Sequence, residues 1–574
     1  MRPITYKSLC LCLVSLLFAA CSASRYREAA DRQVYNILTD KEQLVFGKTN
    51  SFTIDTEYSP RDPQAVPAIE LIDERKIDGT NVVLTLPEAL KLSFENNRTF
   101  QTRKEQLYLT ALTLTLRRFD FDKQPFGRLS TSFDRESDKD LRIDSGQNRA
   151  GFTQALTTGG TVGATIANDM VRYFTGDPRR SITTVMSLNF MQPLLRGAGV
   201  RNVIENLKQA ERDVIYAIRD FALFQQTFSV DVVTTYFRLL QQQANVRNAY
   251  NNYQRNRATA DRAKEMEKAE RMPSYQVDQA VQQYLSGRSS YISAVQQYQT
   301  QLDEFKKTLK IPLGIHLILD DSALEALKTR GLQLVNVPDR SAYESAITNK
   351  MDILNEIDRF EDSKRKIYVA ANALKANLTF LTDVSLQNDA TDYAKFDPGN
   401  FKSSAGLQLD LPLNRRSERN AYRTRLINFE RQLRSLTLTL DNARDAVRED
   451  LRELAQLNEN FEIQTQALDL ANKRVEATPL LIEAGRAQIR DLLEAQRAQF
   501  AAQNAVNAVL VDYLDARLKF LIDLGVLKMD VPDWWLNTTN LVDTIETGPV
   551  SGLGGTADGL LTPEAVFQGP TNLN

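Results

Sequence analysis

The sequence predicts an α+β membrane protein assembled by duplication, in which a pair of short strands followed by very long coiled-coil helices is used twice. Three observations carry that expectation. Leu188-Asn189-Phe190-Met191-Gln192-Pro193-Leu194 closes one β-patterned stretch, and Leu407-Gln408-Leu409-Asp410-Leu411-Pro412-Leu413 does the same 219 positions later. Ala280, Tyr298, Phe305 and Leu309 align without gaps on Ala495, Tyr513, Phe520 and Leu524, each 215 positions on. The strand-like stretches alternate with period two and the helical stretches keep heptad spacing, so each repeat presents apolar faces that it cannot bury alone.

In chain order, residues 1–20 read as a secretory signal: Arg2 and Lys7 form a basic end, and residues 9–18 form an apolar core too short to span a membrane stably. All three cysteines (Cys10, Cys12 and Cys21) lie in this region, so the rest of the chain forms no intrachain disulfide. Residues 21–83, punctuated by Pro60, Pro63 and Pro67, read as an extended N-terminal arm. A helix is expected to start at Thr85, with Pro87 in its first turn and Glu88 complementing the dipole, and to run to about Phe119.

The first repeat spans 84–311. Its strands are expected within about 126–192, from the alternation of Leu129, Thr131 and Phe133 and of Ile182, Thr184, Met186, Leu188 and Phe190. Thr158-Gly159-Gly160-Thr161 reads as a hairpin turn, but the placement of 152–169 stays open: longer strands, an extra hairpin, or a fold elsewhere. Long helices follow over about 200–309, turning near Met272-Pro273. Residues 312–339 read as a connector. The second repeat, 340–527, repeats the plan with strands at about 377–411 and helices at about 415–525, turning at Ala484-Gly485. Residues 528–574 read as a largely disordered tail.

Four strands per chain cannot close a conducting barrel, and an open sheet edge in lipid leaves backbone groups unsatisfied at several kcal/mol each. The smallest membrane barrels use about eight strands, so copies must share one barrel; three copies would give twelve strands. Net charge near −2 implies no basic face and excludes nucleic acid as a partner by composition. One histidine, His316, and no cysteine beyond Cys21 leave no zinc-ligand set, and no phosphate loop, nucleophile elbow or catalytic Ser/His/Asp grouping is visible. The residues therefore suggest neither an enzyme nor a cofactor. His316 is expected to be an ordinary connector residue.

Residues 17–21, Leu-Phe-Ala-Ala-Cys, resemble a bacterial lipoprotein signal, which implies acylation of Cys21. Ser22 after it implies export to the outer membrane. From about residue 84 to 527 the chain resembles the TolC-type outer-membrane efflux proteins. The residues that carry this are Leu84-Thr85-Leu86-Pro87-Glu88-Ala89-Leu90, Gln192-Pro193-Leu194-Leu195-Arg196-Gly197, Gly485, Asp491-Leu492-Leu493-Glu494-Ala495, Asp512-Tyr513 and Leu524-Gly525. The resemblance implies a homotrimer with a 12-stranded β-barrel in outer-membrane lipid, continued by a periplasmic α-helical barrel. Its partners would be a periplasmic adaptor protein and an inner-membrane transporter. It implies adaptor-docking tips at Arg271, Met272 and Pro273 and at Gly485 and Arg486, where the first turn lacks the tip glycine. It also implies a periplasmic gate at Asp491 and Glu494, whose counterparts in the first half are Gln276 and Gln279. A lipid-anchored coiled-coil structural or adhesive protein is the alternative, and it leaves the paired strands unexplained.

Overall fold

The computed structural model describes residues 23–49, 51–76, 79, 81–134, 142–173, 180–388, 396–411 and 413–537. Among them the strands are β1 (Asn81–Leu84), β2 (Gln124–Arg128), β3 (Ser132–Asp134), β4 (Arg142–Ala155), β5 (Thr161–Tyr173), β6 (Arg180–Pro193), β7 (His316–Leu319), β8 (Asn377–Asn388) and β9 (Phe396–Asp410). The chain divides into two compact units. One comprises the residues up to Ile54, Lys104–Arg219 and Asn355–Thr437; the other comprises Asp55–Arg103, Asp220–Leu354 and the residues from Leu438 onward.

The first unit is built on one antiparallel sheet of seven strands in the order β2-β4-β5-β6-β8-β9, with β3 also on β4. β2 pairs with residues 149–153 and β3 with residues 142–144 of β4, so together they fill one interrupted position. The sheet therefore has six strand positions, not the four expected from sequence. The extra pair is the hairpin β4–β5, which settles the open placement of 152–169: the segment supplies sheet strands. Its turn is closed by the Leu156 N–H donating to the Gly160 carbonyl at 2.7 Å.

The same unit contains the helix Ala23–Phe46 where an extended arm was expected. Only Val34, Ile37 and Leu38 of its apolar residues are buried, which is why periodicity alone did not reveal it. Partners distant in sequence fix it: the Tyr108 hydroxyl donates to Asp31 at 2.7 Å, and Tyr35 meets the Tyr108 ring edge-on at 6.0 Å. A buried ionic network joins the two halves here. Asp362, 2 % exposed, receives hydrogen bonds from the Tyr216 hydroxyl (2.7 Å), Arg365 (2.6 Å) and Gln209 (3.0 Å), and Arg212 lies 2.6 Å away. Burial alone would raise the Asp362 carboxyl, but these donors hold it below the usual carboxylate range.

The second unit is helical. The helix expected from Thr85 is two helices, Leu86–Asn96 and Arg98–Phe119, the latter running on into the first unit; Asn97 breaks them with extended backbone. Thr85, the expected cap, and Glu88 form a capping box. The duplication is most regular in the four long helices. The first long helix (Glu205–Lys268, 64 residues) and the second (Arg416–Glu483, 68 residues) begin in the first unit and run into the second. At 1.5 Å per residue each is on the order of 100 Å long. The two return helices, Ser274–Thr308 and Ile489–Asp523, have 35 residues each and start and stop at the same 215-residue offset.

The connector is structured. β7 pairs in parallel with β1, and a helix spans Ser322–Arg330. His316 lies exposed at the start of β7. The tail also begins ordered: Trp534, Trp535 and Leu536 are all buried, and the Arg517 guanidinium donates to the Trp535 carbonyl and to Gln333. Residues 534–536 of the segment expected to be a largely disordered tail are therefore packed; the residues beyond 537, like Cys21, lie outside the described residues. Among the described residues no helix is long and apolar enough to cross a membrane.

Candidate functional site: the paired helical turns

Each long helix turns into its return helix through the same hydrogen-bond pattern. After Lys268, the Glu270 N–H donates to the Glu267 carbonyl and the Arg271 N–H to the Met266 carbonyl, both at 2.8 Å. After Glu483, the Gly485 N–H donates to Ile482 at 3.0 Å and the Arg486 N–H to Leu481 at 2.8 Å. This paired closure is the Schellman motif, which needs one left-handed residue. That residue is Gly485 in the second turn (φ 70°) and Glu270 in the first (φ 57°). The missing tip glycine thus changes the residue and not the turn.

The two turns come together over one apolar cluster. Ala260, Ala263, Met272, Val277 and Ala280 from the first hairpin pack with Ile489, Leu492 and Leu493 from the second. Met272 is 8 % exposed and belongs to this cluster. That corrects one expectation: Met272 supports the tip from within and presents no docking side chain. Arg271, Pro273, Gly485 and Arg486 are exposed, which places two arginines at equivalent positions on neighbouring turns. Arg262 and Glu483 add a 2.7 Å ion pair between the two long helices.

The two acidic residues singled out from sequence differ in their surroundings. Asp491 is the third residue of its return helix, and its carboxylate accepts from the Gln488 backbone N–H at 2.9 Å, closing a capping box. It therefore stabilises the helix start whatever else it does. Glu494 is exposed and lies 3.2 Å from Arg474 on the preceding helix. Arg497, three residues on from Glu494, donates to Gln283 at 2.6 Å. Sequence reading missed Arg474 and the cap role of Gln488. Arg474 lies 20 residues before Glu494, across a turn, and short-range spacing rules do not reach that far. Among the described residues no cluster of His, Cys, Asp or Glu is arranged to hold a metal.

With this geometry in view, comparison with known proteins is informative. Residues 342–520 match the family "Outer membrane efflux protein". No curated protein matches the sequence. The fold is similar to that of the outer membrane protein VceC from Vibrio cholerae (13 % identity, TM-score 0.56), covering 77 % of this chain and 96 % of that one. It is similar to the CmeC outer membrane channel of Campylobacter jejuni (14 %, TM-score 0.55), covering 77 % and 85 %. The open-state MtrE outer membrane channel of Neisseria gonorrhoeae matches likewise (11 %, TM-score 0.55), covering 77 % and 88 %. At these identities the structural likeness speaks for the fold, and the family match is confined to residues 342–520. Residues 342–520 thus resemble the outer membrane efflux proteins in sequence, and the fold over 77 % of the chain is similar to that of outer membrane channels.

Proposed function

We propose that this chain is the exit duct of a tripartite efflux pump or type I secretion system, a passive channel opened by a periplasmic adaptor and an inner-membrane transporter. The observation that carries this reading is an antiparallel sheet with exposed apolar residues in one unit and, in the other, two helical hairpins whose turns close through the same hydrogen-bond pattern. In the proposal several copies, three by the family pattern, share one barrel in the outer membrane, and the helices continue as a periplasmic tube. Cys21 would carry the lipid anchor.

The paired turns are the proposed adaptor-docking surface, with Arg271 and Arg486 as its exposed cations and Pro273 and Gly485 shaping the backbone beside them. Asp491 and Glu494, three residues apart, lie close together along one helix. In three copies they would place six carboxylates around the gate, which favours cations. The Glu494–Arg474 pair is exposed and so worth under about 1 kcal/mol, weak enough to exchange when a partner docks.

Single-channel conductance of the detergent-purified protein in planar bilayers tests this. Asp491→Asn with Glu494→Gln is the appropriate variant, because Asn keeps an acceptor for the helix cap. Small, cation-preferring events that grow in the variant support a duct gated by these carboxylates. Unchanged conductance keeps the duct and removes the gate. Silent, verified trimers of both proteins would favour the lipid-anchored coiled-coil reading.

A further inference from the structure

The hairpin β4–β5 continues an exposed apolar row of the sheet. Register places residues of neighbouring strands side by side on one face. One such row runs Ala150–Ile166–Met186–Leu386–Phe401 across β4, β5, β6, β8 and β9. It is apolar at each of these five strands, Gly127 continues it on β2, and Ile166, Met186 and Phe401 are exposed. The adjacent row, one residue along, runs Phe126–Gly151–Thr165–Ser187–Ser385–Lys402 and carries no large apolar side chain from β4 to β9. Apolar-out and polar-in alternation is the pattern of a transmembrane β-barrel wall. A hairpin standing in water would not need to extend the apolar row of β6, β8 and β9 in register. An exposed apolar surface this continuous requires a cover, and hydrocarbon is the cover that alternation and strand length both fit.

The edges decide the count. Among the described residues the outer positions are β2–β3 and β9, and neither pairs with a further strand of this chain. A sheet edge in lipid must be paired. With six positions per chain, β2–β3 lies antiparallel to β4, β5 returns, and β9 ends antiparallel to β8, so the edge of one copy can receive the opposite edge of the next. We infer that the β4–β5 hairpin is part of the membrane wall and that three copies close an eighteen-stranded barrel. This rests on the shared-barrel reading above.

At about 4.8 Å between strands and a tilt of about 40°, eighteen strands give a backbone diameter of about 36 Å, against about 24 Å for twelve. Barrels of 16–18 strands hold open aqueous channels without further help. The outer-membrane segment is then not the sieve of this duct. Its cargo class extends to solutes and extended polymers about 2.5 nm across, after roughly 5 Å of side chain is allowed on each wall.

Spin labels at single introduced cysteines in the full chain, reconstituted in phospholipid vesicles, test the inference, with unsubstituted protein as background. Leu188→Cys and Ser187→Cys on β6 form the control pair; Ile166→Cys and Thr165→Cys on β5 form the test pair. The expected result is that labels at 188 and 166 relax severalfold more with oxygen than with a water-soluble nickel chelate, and labels at 187 and 165 the reverse. Chelate access at both 165 and 166 with a normal control pair would overturn the hairpin assignment alone. Chelate access at all four positions would overturn the barrel reading itself. Top views of the unmodified protein in nanodiscs give an independent check: a ring near 36 Å supports the count, and one near 24 Å refutes it.

Discussion

Glu270 and Lys310 in the first half stand where the second half has Gly485 and Gly525, 215 positions on, and all four residues are left-handed, with φ of 57°, 60°, 70° and 69°. The hydrogen bonds match too: Ile311 N–H to the Lys306 carbonyl in the first half, and Val526 N–H to the Leu521 carbonyl in the second, at 2.9 and 3.1 Å. The halves keep one backbone path and differ in what enforces it. A Cβ at 525 would lie 2.5 Å from the Asn349 carbonyl carbon and 2.6 Å from the Lys350 nitrogen, while one at 485 would meet nothing within 4 Å. Lys310 extends its side chain to Glu57 at 3.0 Å. Glycine is therefore a packing requirement at 525 and only a conformational preference at 485. A repeat can lose its glycines wherever the left-handed residue faces open space.

The largest break in this comparison is Gly525→Ala. Strain and overlap together should remove about 3–5 kcal/mol of stability, read as a drop in denaturation midpoint, while Lys310→Ala in the first half stays within about 1 kcal/mol. An equal effect at both positions would refute the distinction. Next comes the apolar cluster under the turns. Leu492→Ala should cost about 2–4 kcal/mol and raise hydrogen exchange at both turns, because one cluster supports both. Exchange confined to the second turn would show the hairpins to be independent.

A third contrast is in charge. The second half buries Asp450 beside Asp523, whereas the first half has Thr235 and Thr308 at the corresponding positions. Asp523 lies 2.8 Å from Lys350. Burial first, and the neighbouring Asp523 second, push the Asp450 carboxyl up from 3.8 to about 8. A raised folded-state value means that the folded protein holds a proton the unfolded chain releases. The stability from Asp450 is then full below about pH 4 and lost as pH rises towards 8. Asp362 has the opposite sign: its lowered value contributes stability above the unfolded value, lost as pH falls below about 4. Denaturation midpoints across pH 4–8 should decline in the wild type and flatten in Asp450→Asn. The smallest expected effects are a loss of about 1 kcal/mol in Gly485→Ala and a gain of similar size in Glu270→Gly, each measured as local exchange at its turn.

The helical repeat was legible because a fixed 215-residue offset carries whole apolar faces with it. Ala280 on Ala495 and Phe305 on Phe520 need no structure to be aligned, and the offset would also have placed Glu270 on Gly485. The proposed gate and tip positions came from the family resemblance and not from the offset, and neither revealed the burial of Met272: a turn residue between Arg271 and Pro273 reads as exposed unless the opposite hairpin is known. The hairpin β4–β5 was only half legible. A barrel strand shows one weak alternation per ten or so residues, and Gly151, Gly163 and Ala164 dilute it further. The N-terminal helix and the Trp534–Trp535 segment escaped because their cover comes from distant residues such as Tyr108 and Arg517.

The two short strands β1 and β7 pair Asn81 with His316 and Leu84 with Leu319. The Tyr236 hydroxyl, 2.9 Å from the carbonyls of both Leu84 and Asp320, ties the pair to the first long helix. A chain made from its N-terminus must therefore emerge past residue 319 before the entry to its first repeat can be fixed. Parallel pairing over such a separation is slow to form, because loop closure precedes any gain from contact. The connector thus acts as a timing element: the entry to the first repeat is fixed only once the connector that follows that repeat has emerged.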